Sequence, residues 1–177
     1  MRRLLALTMV CSAALAGCDR DAGPADEGTL ESAAVVVQDA ELDSLRSTGF
    51  LQLIDGDVAA LWLALQAQAP GEQTRPADAV VAQYEAMIRE LATRLLEDRR
   101  MIANRTVQTR DELADHGIQV TVDELITGLL EVARAGVVGN YGSYCDYYIN
   151  LRQRPLAHAA ALAEMRSLRV LAPAGAP

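Results

Sequence analysis

The sequence predicts an all-α protein, a four- to five-helix up-down bundle, and three observations carry that expectation. Val81, Tyr84, Ile88, Leu91 and Leu95 repeat at alternating spacings of three and four, the seam pattern of packed helices. Thr121 and Glu124 stand three apart before an apolar run, which is a capping box. Asp115-His116-Gly117-Ile118 reads as a helix end, with Gly117 at the left-handed position, Ile118 as the hydrophobic contact after it and His116 as a cap.

The elements follow in order. Arg2 and Arg3 precede an apolar run, Leu4 to Leu15, that is too short to cross a bilayer, so residues 1–17 read as a secretory signal. Leu15-Ala16-Gly17-Cys18 follows and resembles the lipobox of bacterial lipoproteins. That resemblance implies cleavage before Cys18, diacylation of its thiol and acylation of its new amine. Several acyl chains on one residue hold a protein on a membrane, each buried CH₂ contributing about 0.8 kcal/mol. By resemblance to enterobacterial lipoproteins, Asp19 favours the inner membrane, with the outer membrane as the alternative. Residues 18–29, charged and rich in small side chains, read as a flexible tether of at most ~35 Å.

The bundle is expected over residues 30–170. A helix from Leu30 to Arg46 is indicated by Leu30, Ala34, Val37, Leu42 and Leu45, although Val35-Val36-Val37 also suits a strand. Phe50, Ile54, Val58, Leu61 and Leu65 predict a second helix, or a continuation, to Ala69, with Trp62 a core or interface aromatic beside that stripe. Pro76 suits a first helical position. From there to His116 no proline or glycine intervenes except Pro76 itself, which predicts one helix about 60 Å long. Asp98 then falls on its seam, where a carboxylate needs a metal, a proton or a partner such as Arg94 or Arg105. A helix over 122–137 follows. Ser143 with Asp146 signals the start of a last helix after a turn at Asn140-Tyr141-Gly142; Tyr148, Leu151, Leu162 and Met165 face inward, Pro155 makes a kink, and His158 lies near the stripe. Residues 171–177 read as a disordered tail.

Composition narrows function. Removing residues 1–17 takes two arginines and no acid from a chain of 16 basic and 24 acidic residues, leaving a formal charge of −10. Such a surface disfavours nucleic acid and anionic lipid. With Cys11 lost and Cys18 lipidated, Cys145 has no intramolecular partner, so it is either a buried inert thiol or one that pairs with another molecule.

Catalytic motifs for serine nucleophiles, phosphate loops and H-E-x-x-H zinc sites are absent from the sequence, and a non-enzymatic role is expected. Asp98, Asp146 and His158 form a candidate metal set if antiparallel helices bring them together. Tyr141, Tyr144 and Tyr147, within a glycine-rich stretch, form a candidate partner surface, or else aromatic filler at a bundle end. No cofactor is expected beyond the lipid on Cys18.

The run G-F-L-Q-L-I-D-G-D-V-A-A-L-W-L-A-L-Q-A-Q over residues 49–68, the run L-L-E-D-R-R-M-I-A-N-R, D-E-L-A-D-H-G-I and the C-D-Y-Y helix with Ala157-His158 together resemble the bacterial periplasmic family called domain of unknown function 4142, over residues 42–168. The resemblance implies a ferritin-like four-helix fold. Where that family's long helix carries Asp-His this chain has Asp98-Arg99, which weakens the implied metal role. The functional expectation is a membrane-anchored lipoprotein on the periplasmic face, acting through protein contacts in the cell envelope; the alternative is a degenerate ferritin-like metal or small-ligand binder.

Overall fold

The computed structural model describes residues 39–95, 97–133 and 140–167. The signal, the lipobox, the tether, Leu30 to Val37 and the tail lie outside the described residues. The described part is an all-α bundle: α1 Asp39–Ser47, a 3₁₀ turn Leu53–Val58, α2 Ala59–Gln66, α3 Asp78–Leu95, α4 Arg99–Asp115, α5 Val122–Val132, α6 Tyr141–Gln153 and α7 His158–Ser167. None of these helices is long and apolar enough to cross a membrane.

The expected four or five helices are seven among the described residues, because two expected helices are each broken. The stretch from residue 76 to 116 is not one rod. Asp98 takes an extended conformation (φ −67°, ψ 135°), and its carboxylate accepts the N–H groups of Arg100 at 2.9 Å and Met101 at 3.3 Å. A short acid that bonds nearby N–H groups competes with the helix and starts a new one without any proline or glycine. α3 and α4 consequently pack against each other. The last helix likewise divides at Pro155, which lacks the N–H that a continuous helix would use.

The second stripe also needs correction. Residues 50–58 do not belong to a long helix: the chain is extended at Gln52, turns through Leu53–Val58, and becomes α-helical only at Ala59. Phe50 and Ile54, expected inside, are exposed. α2 is buried from Ala59 through Leu65, which suits a helix that is apolar all round and packs on α1, α3 and α4.

α4 is the centre of the bundle, packing on α2, α3, α5, α6 and the 3₁₀ turn. The core holds Trp62, Tyr84, Tyr141 and Tyr148, all fully buried, so Trp62 is indeed a core aromatic. Every polar handle of these four rings has a partner: Trp62 Nε1 donates to the Thr48 carbonyl at 3.0 Å, Tyr84 to Asp123 Oδ1 at 2.5 Å, the Tyr141 and Thr106 hydroxyls share a bond at 2.9 Å, and Tyr148 bonds His158 at 2.8 Å. Burying such rings is favourable only when those groups stay bonded.

The seam Tyr84, Ile88, Leu91 and Leu95 is buried as the spacing predicts, with Val81 half-buried at its start. The cap at the end of α4 forms as expected. Gly117 has φ +74°, its N–H reaches Ala114, and the Ile118 N–H reaches Leu113 at 2.8 Å. Thr121 and Glu124 make the capping box of α5. The start of α6 is one signal earlier than expected: Asn140, not Ser143, is the N-cap, its Oδ1 accepting the Ser143 N–H at 2.9 Å, and Tyr141 and Gly142 are helical.

Candidate functional site

The structure distributes the candidate residues in unexpected ways. Cys18 lies outside the described residues. Asp98, Asp146 and His158 do not form a metal set: Asp98 is spent on the cap of α4, Asp146 stands on the exposed side of α6, and His158 opens α7 bonded to Tyr148. Among the described residues no group of three His, Cys, Asp or Glu could hold a metal ion.

The tyrosine surface is also redistributed. Tyr141 is fully buried against Thr106 on α4, and burial pushes its phenol well above the usual tyrosine range. Tyr144 and Tyr147 are half-buried, packed against the same core. Cys145, between them, is buried, and loss of solvent pushes its thiol up to about 12. That matches the inert-thiol alternative.

Two surface features stand out instead. The first is a groove of about 340 Å³ between α5 and α7, lined by Asp123, Glu124, Thr127, Gly128, Glu131, His158 and Leu162. Gly128 makes this close approach possible. A Cβ there would stand 2.7 Å from Leu162 Cδ1 and 3.1 Å from His158 Cε1. Behind His158, Arg152 Nη1 donates to the Tyr148 oxygen at 2.6 Å, and the hydroxyl and His158 Nδ1 are 2.8 Å apart. Which of the two donates in the Tyr148–His158 bond is set by the tautomer of the imidazole.

The carboxylates of the groove are already engaged. Asp123 accepts from Tyr84, Glu131 from Arg166 at 2.6 Å, and Glu124 from the Thr121 N–H at 2.8 Å. The Thr121 backbone bond, helped by the charges of His158 and Arg152, holds the Glu124 carboxyl below its usual range. The Thr127 hydroxyl donates to the Met87 sulfur, which is not a base that activates a nucleophile. The groove is therefore a shaped, hydrogen-bonded recess with one imidazole edge.

The second feature is the tip formed by Phe50 and the 3₁₀ turn. Leu53 is 80 % exposed and Ile54 90 % exposed, yet the backbone beneath them is fixed. Leu51 is fully buried, and both its N–H and its carbonyl are bonded to the buried Asn104 side chain. Arg100 adds a bond to the same carbonyl at 3.2 Å, and Arg99 bonds the Gly56 carbonyl at 3.3 Å while pairing with Glu85. Within the turn, Asp55 Oδ2 accepts the Gln52 N–H at 2.7 Å. Sequence reasoning missed this tip, because Ile54 fits a helical stripe by spacing. The turn-forming Asp55-Gly56-Asp57 was the signal that the helix begins later.

A family model described as MoxZ matches residues 60–169, more than half of the chain, from the second residue of α2 through α7. No curated protein and no solved structure matches the chain.

Proposed function

The chain belongs to the MoxZ family, and we propose that it acts as a lipid-anchored protein on the periplasmic face of a bacterial membrane, working through protein contacts in the envelope rather than by catalysis. The observation that carries this reading is the order of features at the start of the chain: Arg2-Arg3, the apolar run Leu4 to Leu15, and Leu15-Ala16-Gly17-Cys18. A short apolar segment ending in small residues and a cysteine suits export followed by acylation, and acyl chains supply an attachment that does not need a spanning helix. Asp19 favours the inner membrane, and the outer membrane is the other address.

Growth with a labelled fatty acid, followed by separation of membrane and soluble fractions, tests it. The chain is expected to carry label and sediment with membranes, and Cys18→Ala to abolish both. Unlabelled protein with the same distribution in both forms overturns the anchor.

A second reading, a small-ligand binder of ferritin-like kinship, is favoured by one observation, the recess between α5 and α7, whose size lies at the lower end of ligand pockets. Native mass spectrometry of protein taken from its own cells tests it. A bound small molecule that is lost in His158→Gln supports that reading, and bare protein counts against it.

A further inference from the structure

Folding normally removes large aliphatic side chains from water, and adjoining ones that stay exposed mark contact sites. Leu53 and Ile54 are neighbours with exposures of 80 % and 90 %, and Phe50 beside them is 38 % exposed. Their support is unusually well fixed. The buried Asn104 side chain holds both backbone groups of Leu51, Arg99 and Arg100 reach across from α4 to the carbonyls on either side of the pair, and Trp62 Nε1 holds Thr48. A tip held in this way loses little conformational freedom when something packs on it, so its apolar area is available for binding.

Charge identifies the kind of surface it fits. Asp57 is exposed and Asp55 half-exposed directly after the aliphatic pair, and no lysine occurs anywhere in the chain. The nearest arginines, Arg99 and Arg100, are turned inward to Glu85, Asp98 and the turn's own carbonyls. A knob of two aliphatic side chains edged by carboxylates is repelled by an anionic bilayer, as is a chain whose formal charge is −8 with residues 1–17 and −10 without them. It is complementary to an apolar pocket edged by cations.

We propose that Leu53 and Ile54 form the docking point for a protein partner that offers an apolar pocket rimmed by arginine or lysine. The proposal rests on the envelope-contact reading above and gives it a surface in place of the tyrosines.

The experiment uses the full chain in its own cells, with a photo-crosslinking amino acid at position 54 and, as control, at Asn150 on the exposed side of α6. The expected result is a single protein adduct from position 54 and none from position 150. The partner, identified by mass and purified, is expected to bind the chain with an affinity that Leu53→Asp lowers about tenfold or more, as loss of a central apolar anchor does. Asp57→Arg is expected to weaken binding and flatten its dependence on salt. Adducts only to phospholipid, to a second copy, or to residues 19–38 of the same chain overturn the proposal. So does a partner whose binding neither substitution changes, or membrane-bound chain that gives no adduct. Fractionation of the same cells reports the anchor separately: soluble, unlipidated chain that still crosslinks through position 54 overturns the anchor and leaves the docking point standing.

Discussion

Asn104 and Leu51, 53 positions apart, are bonded to each other twice: the amide oxygen accepts the Leu51 N–H at 2.8 Å and the amide nitrogen donates to the Leu51 carbonyl at 3.0 Å, both groups buried. A side-chain amide thus supplies both backbone partners for a residue that lies outside any helix or strand. Asn104→Ala leaves a buried N–H without a partner and Arg100 alone on the carbonyl, at a cost of about 1–3 kcal/mol per stranded group. The expected outcome is a clear fall in the urea midpoint, with the helical circular dichroism of the folded state retained. Asn104→Asp keeps the acceptor and loses the donor, but it brings a charge into a buried position and is expected to be no milder. An unchanged midpoint for both variants contradicts the assigned role.

Acid should loosen the start of α5. The Glu124 carboxyl is held below its unfolded value of 4.5, first by the Thr121 backbone bond. The folded state therefore binds this proton less tightly than the unfolded chain does. Its contribution is complete above the unfolded value and is lost as pH falls through the folded value. Between about pH 6 and about pH 3, denaturant titrations are expected to show stability falling more steeply in the native chain than in Glu124→Gln. Because the side chain is exposed, the difference is modest, and parallel curves would count against the cap's contribution.

Gly128 makes room for α7. In an ordinary helix Gly→Ala gains about 1 kcal/mol, but here the new methyl meets Leu162 and His158, and overpacking costs about 1–3 kcal/mol. Gly128→Ala is therefore expected to destabilise the native chain and to stabilise the Leu162→Ala variant, a reversal of sign that a double-mutant cycle reads directly. The same sign in both backgrounds would show that α5 and α7 are not in close contact at this point.

Much of the bundle is legible before folding because it is written in local chemistry. The seam Tyr84-Ile88-Leu91-Leu95, the Gly117-Ile118 ending and the Thr121–Glu124 box each depend on residues within a turn or two of one another, and each forms. What spacing misplaces depends on competition between alternatives. Asp98 is equally a seam residue and an N-cap until its neighbours decide, and the cap wins because there its carboxylate accepts two backbone N–H groups, donors it would lack on a buried seam. Ile54 fits a helical stripe, but the bonds from Asn104, Arg99 and Arg100 that fix the turn come from residues more than forty positions away. Tyr141 illustrates the same limit. A tyrosine beside glycines suits a surface, and the partners that make its burial tolerable, the Thr106 hydroxyl on α4 and the Cys145 thiol, are found only on folding. Spacing puts His158 near the right face, whereas its hydrogen bond to Tyr148, which Arg152 also bonds, crosses the Pro155 break and has no counterpart in the sequence pattern.

The burial of Cys145 has a consequence for biogenesis. In the oxidising compartment proposed for this protein, an unpaired cysteine is exposed to mixed disulfides with every other secreted thiol. A thiol whose pKa is pushed up to about 12 offers almost no thiolate at neutral pH, and one enclosed by α4 and α6 offers no path of attack. Protection is thus conferred by packing and begins only when α6 docks. The interval between export and that docking is when the chain is redox-vulnerable, so slow folding would be penalised by misoxidation even in a protein whose finished form is chemically silent.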